Sequence, residues 1–174
     1  MKLRRTMVVI AGLLLAGVVQ AAGFEERPAS PAPQLKAQDL AGATRTLADY
    51  RGKVVLLNFW ASWCPPCLRE MPSMERLRVK MTGRPLAIVA VDSAETREDV
   101  DAFLAKMQVG FPVLLDPDGS NTKRWKVFAL PTTFLLDAAG RIRYVLTGPT
   151  EWDEGEALAK IEALLAERPP GARR

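Results

Sequence analysis

Val54-Val55-Leu56-Leu57-Asn58-Phe59-Trp60-Ala61-Ser62-Trp63-Cys64-Pro65-Pro66-Cys67 is the stretch from which the fold of this chain is read. Val54 to Trp60 is apolar at every position but Asn58, the pattern of a central strand buried on both faces. The run gives way to a helical pattern at the chain's only two cysteines, which have two residues between them. That spacing lets both sulfurs meet at the first turn of a helix, close into a small accessible disulfide and open again. A helix start also supplies unpaired backbone N–H groups and the positive end of the macrodipole, which favour thiolate over thiol. Thiolate is the species that attacks disulfides.

The sequence contains no histidine. That removes Ser-His-Asp triads and HExxH zinc sites, and Leu68 after Cys67 rules out c-type haem attachment. Two thiolates without further soft ligands make a poor structural zinc site, so no metal and no cofactor is implied. Redox chemistry and a static bridge remain. A bridge closing so small a loop adds little stabilisation.

Met1 to Ala22 reads as an export signal: Lys2, Arg4 and Arg5, an apolar run from Met7 to Val19, then small residues at Ala21 and Ala22. The run of 13 residues is short for a span, which needs about 20, although continuing to Phe24 gives 18 with only Gln20 polar. A cleaved signal peptide and an uncleaved membrane anchor both place the domain outside the cytoplasm. The net charge of +4 falls to +1 without the three basic signal residues, and no basic patch with interleaved aromatics suggests nucleic acid.

Residues 23–34, with Pro28, Pro31 and Pro33, read as a semi-rigid linker, and residues 169–174 as a solvated tail. Between them, residues 35–168 form one domain. Leu35 to Tyr50 suggests a small N-terminal hairpin. A helix is expected from Pro65 to about Met81, since proline is tolerated in a first turn, with a kink at Pro72. Leu86 to Val91 is a second buried strand. Thr96 to Asp99 resembles a capping box ahead of Val100, Phe103, Leu104 and Met107 at helical spacing. Val113 to Leu115 is a short strand, and a helical segment follows at Asn121 to Lys126. Thr133 to Asp137 and Arg141 to Leu146 form an antiparallel hairpin, and a last helix carries Leu158, Ile161, Leu164 and Leu165. The order β-α-β-α-β-α-β-β-α is that of an α/β domain with a mixed central sheet flanked by helices.

That order, with Asn58 to Cys67, Glu70-Met71-Pro72 and Leu130-Pro131-Thr132-Thr133-Phe134-Leu135-Leu136-Asp137, resembles the thioredoxin fold. More narrowly it resembles the TlpA/ResA-like branch, exported bacterial thiol–disulfide oxidoreductases, over about Leu35 to Glu167. The helix and strand near residues 96–115 match the central βα insertion of that branch. The resemblance implies that Pro131 is cis and lies beside the cysteines. Such a proline donates no N–H and leaves neighbouring backbone free to pair with a substrate strand. Leu130, Pro131, Thr132 and Trp63 are thereby the substrate-binding candidates.

Cys64, at the exposed helix start, is the expected nucleophile and Cys67 the resolving thiol. Pro65 and Pro66 offer Cys64 no amide proton, which leaves Cys67 and Leu68 as its nearest donors. A less stabilised thiolate means a less oxidising disulfide, hence a reductant. Glu70, three residues after Cys67, is the candidate proton acceptor or donor; Asn58 stands where thioredoxins carry a buried aspartate and cannot titrate. Trp60, Trp125, Trp152 and the Met71, Met74 and Met81 stripe are expected to pack in the core. The resemblance also implies a membrane electron donor of the CcdA/DsbD kind, and a disulfide in an exported protein such as apocytochrome c as client. A disulfide oxidase or isomerase, and a copper chaperone or binding module, are the competing readings. The chain shows neither a dimerisation segment for the isomerase nor a Met-rich motif for the chaperone.

Overall fold

A computed structural model of the chain describes residues 23–167. The expected export segment and the tail lie outside these residues. No helix among those described is long and apolar enough to cross a membrane.

Eight strands form a single mixed sheet in the order β1-β8-β7-β4-β5-β6-β2-β3. Strand β4 (Val54–Trp60) lies inside it, every residue buried, parallel to β5 (Leu86–Ser93) and antiparallel to β7 (Thr132–Leu136). Its alternation feeds two cores. Leu56 and Trp60 face helices α1 (Pro65–Lys80) and α4 (Gly155–Ala166), packing with Met71, Met74, Leu77 and Ile161. Leu57 and Phe59 face the other way, onto Trp125, Phe134 and Leu136. Each such apolar side chain contributes roughly 1.5–3 kcal/mol on burial, which is why β4 anchors the sheet.

The expected hairpin is β2 (Lys36–Asp39) with β3 (Thr44–Thr46), and β2 continues the sheet beyond β6 (Val113–Asp116). Helix α2 (Arg97–Leu104) starts at a capping box in which Thr96 and Asp99 exchange bonds; Met107 falls beyond its end. Helix α3 (Ser120–Arg124) is short, and β7 returns through the Asp137–Gly140 turn to β8 (Arg141–Thr147). Pro72 sits on the exposed face of α1, which continues through it to Lys80.

One expectation is corrected. Residues 25–31, read as linker, form strand β1 (Glu25–Pro31), antiparallel to β8 at the sheet edge. Five of its seven residues are exposed and none is buried, so no apolar alternation announces it. Its prolines fit because an edge strand needs only half its N–H groups, and the register shift between Glu26 and Ser30 absorbs Pro28.

Candidate functional site

The site is built where β4 hands over to α1. Cys64 N–H closes a turn onto the Ala61 carbonyl at 3.2 Å, and Cys64 becomes the N-cap of α1 with Pro65 and Pro66 in the first turn. Cys64 and Cys67 are joined by a disulfide with Cα atoms 5.3 Å apart. Cys67 is fully buried, while Cys64 keeps 4% of its surface accessible, so a partner sulfur can approach only from the Cys64 side. Of the two expected donors, Cys67 N–H reaches Cys64 Sγ at 3.3 Å. Leu68 N–H instead bonds the Cys64 carbonyl, the ordinary helical pairing.

A groove of about 440 Å³ runs past Cys64. Trp63, Pro65 and Pro66 form one wall, Val127 to Leu130 the other, and no charged side chain lines it. Trp63 is 68% exposed, whereas Trp60 is buried in the core. The Leu130–Pro131 peptide is cis. Pro131 O accepts from Gly148 N–H at 2.8 Å, while the N–H and C=O of Leu130 make no hydrogen bond among the described residues. Leu130 lines the groove with these backbone groups unpaired. Thr132 does not: its buried hydroxyl donates inward to the Ala129 carbonyl at 2.8 Å, and its exposed edge lies in a neighbouring cleft.

Glu70 is 1% exposed and lies on the inner face of α1, on the same helix face as Cys67. Its Oε1 accepts from Asn58 Nδ2 at 2.7 Å; its Oε2 accepts from Trp152 Nε1 at 3.2 Å and Thr150 N–H at 3.4 Å. Burial pushes its pKa up to about 7, against those three donors, which favour the carboxylate. Trp152, expected only to pack, is thus a polar partner as well. The loop that carries it is fastened to α1 by Ser73, whose hydroxyl accepts Trp152 N–H at 3.0 Å, and by Arg76 bonded to Glu151 and Asp153.

An acidic pair escaped sequence reasoning. Asp92 lies beside Trp60 in the β4–β5 register, fully buried, and neither carboxyl oxygen finds a hydrogen-bond donor among the described residues. Glu95 faces it while accepting from Ser62 N–H and Ser62 Oγ, two residues before Cys64. Burial first, then Glu95, push the Asp92 carboxyl far above the ordinary range. A polar residue closing the apolar run Leu86 to Val91 was the only signal for it in the sequence.

A helix-start disulfide facing a cis-proline loop, on this sheet, defines a thioredoxin-fold thiol–disulfide oxidoreductase. The chain belongs to the AhpC/TSA family, whose model matches residues 28–145. It is 38% identical to thiol-disulfide oxidoreductase ResA of Geobacillus thermodenitrificans over 83% of this chain and 86% of that protein. It is 43% identical to thioredoxin-like protein YneN of Bacillus subtilis over 67% of this chain and 69% of that protein. Among solved structures, a Chlorobium tepidum protein provisionally described as thiol:disulfide interchange protein DsbE superposes with a TM-score of 0.74. That match is at 33% identity and covers 82% of this chain and all of that one.

Proposed function

We propose that this enzyme works outside the cytoplasm as a reductant of disulfides in exported proteins, apocytochrome c before haem attachment being a fitting client. The observation that carries this reading is the poorly solvated Cys64–Cys67 pair with Glu70 on the same helix face. Cys64 thiolate attacks one sulfur of the client disulfide, forms a mixed disulfide and expels the other client sulfur as thiolate. Cys67 then gives its proton to Glu70 and attacks Cys64 Sγ, which re-forms the Cys64–Cys67 disulfide and releases the second client thiolate. Two electrons pass to the client, and a carboxyl titrating near 7 can take and return that proton at neutral pH. A membrane electron donor of the CcdA/DsbD kind would recharge the pair. Trp63 and Leu130 would hold the client strand, and cis Pro131 would set the loop; Thr132 would serve from within, through Ala129.

Support for a reductant comes from the single local donor to Cys64 Sγ, since Pro65 and Pro66 have no N–H to give. The export signal in the sequence, outside the described residues, supports the location. Two measurements test this. Cys67→Ser protein should accumulate a mixed disulfide with its client through Cys64. Equilibration with glutathione should give a potential well below that of strong oxidants; a value near −120 mV would turn the reading into an oxidase.

A further inference from the structure

The wall of the groove opposite Trp63 has an unusual origin. Helix α3 ends in a Schellman motif: Val127 N–H bonds the Thr122 carbonyl at 3.0 Å and Lys126 N–H bonds the Lys123 carbonyl at 3.0 Å. The residue that must turn left-handed there is normally glycine, yet this chain places Lys126 in it, at φ 54°. A lysine in that conformation is strained by about 1 kcal/mol, and no ion pair among the described residues offsets it. The turn throws Phe128 outward until it is 94% exposed, the most exposed large apolar side chain described.

Phe128 stands on a divide. On one side is the uncharged groove with Cys64; on the other is a cleft of about 540 Å³. The cleft has an apolar floor at Phe134, Ile142 and Val145. Its charged lining is Arg27, Arg124, Lys126 and Glu25, and Glu25 is already paired with Arg27 at 2.8 Å. The cleft is therefore left net basic.

We propose that Phe128 and Lys126 form a client-reading element. It selects an extended protein segment carrying a large apolar side chain next to the target cysteine and a carboxylate a few residues further on. The cysteine sulfur meets Cys64, the segment's backbone pairs with the free N–H and C=O of Leu130, the apolar side chain lies against Phe128 and Trp63, and the carboxylate reaches the basic cleft. The proposal rests on the reading of the groove as the place where a protein sulfur meets Cys64, whichever way electrons flow.

The test uses Cys67→Ser protein and short peptides whose cysteine is joined to 5-thio-2-nitrobenzoate. Cys64 thiolate forms a disulfide with the peptide and expels the coloured thiolate, so each exchange is read directly. Peptides carry Phe or Ala beside the cysteine and Asp or Lys further along. At low salt the Phe peptide should react about tenfold faster than the Ala peptide. Asp should outpace Lys about fivefold, an advantage that fades in 1 M salt, where the Debye length is about 3 Å. Phe128→Ala should erase the first preference, and Lys126→Glu, which leaves the cleft without net charge, the second. Ratios taken within each protein cancel changes in thiol reactivity. Lys126→Gly should also raise the melting temperature while weakening the charge preference, since Arg124 remains in the cleft. Equal rates for all peptides, or a charge preference untouched by Lys126→Glu, overturn the proposal while leaving the dithiol chemistry intact. Silence with every peptide and with free dithiobisnitrobenzoate overturns the dithiol reading, and the proposal with it.

Discussion

Two buried carboxyl groups lie on the same face of the sheet, Glu70 beneath Asn58 and Asp92 beside Trp60, and the protein treats them in opposite ways. Glu70 is met by three donors, Asn58, Trp152 and Thr150. Asp92 makes no well-formed hydrogen bond; the Glu95 backbone N–H favours its charge only weakly, and the Glu95 carboxyl faces it. Desolvation raises both, but donors hold Glu70 to about 7, whereas a facing acid drives Asp92 higher still. The same burial thus yields one group that exchanges protons near neutrality and one that keeps its proton to higher pH. A protonated Asp92 can donate to Glu95, which grips Ser62 and so the turn leading into Cys64.

The sharpest way to break this contrast is Glu70→Gln. Without a carboxyl on the inner face of α1, the rate of disulfide reduction at pH 7 should fall about 100-fold, the scale of a lost acid–base group. The inflection near pH 7 in stopped-flow pH–rate profiles should vanish; a profile unchanged in shape would remove Glu70 from the reaction. The oxidised protein supplies a thermodynamic version. Because Glu70 has a raised pKa when folded, its protonation stabilises the fold fully below its unfolded value of about 4.5, and this is lost as pH rises through about 7. Urea titrations of the wild type should therefore decline across that window by up to about 3 kcal/mol relative to Glu70→Gln.

Asp92→Asn tests the other member. Its folded pKa is also raised, so the sign is the same, but the window reaches to higher pH. The variant should match the wild type near pH 4 and gain on it steadily up to pH 8, by up to about 1.4 kcal/mol per pH unit. Equal stability at both pH values would mean that Asp92 is ionised in the fold. Trp152→Phe sharpens the Glu70 side with less force. Removing one donor to Oε2 should move the rate inflection up by about half a unit and lower stability by about 1 kcal/mol. Arg76→Ala should do least: its ion pairs to Glu151 and Asp153 are exposed, worth under about 1 kcal/mol, and the inflection should stay near 7.

Much of this architecture was legible because its signals are local. Val54 to Trp60 advertises a buried strand, the Thr96 capping box marks the start of α2, and the two cysteines at helical onset mark the chemistry. Strand β1 was hidden because it is held by backbone pairing to β8, a partner more than 100 positions away, and hardly by side chains. Trp152 looked like any core tryptophan; only the arrival of its loop over α1 brings its indole N–H to Glu70. Thr132 shared a motif with Leu130 and Pro131, yet strand alternation turns its hydroxyl away from the groove.

From sequence alone come the dithiol, its two intervening prolines and the strand that supports it, since residue identity and spacing within a few positions fix them. Tertiary structure alone decides which acids lose water, which of them find donors, and which loop faces Cys64. Those properties depend on groups far apart in the chain being driven together by burial, and no local pattern encodes the distance between them.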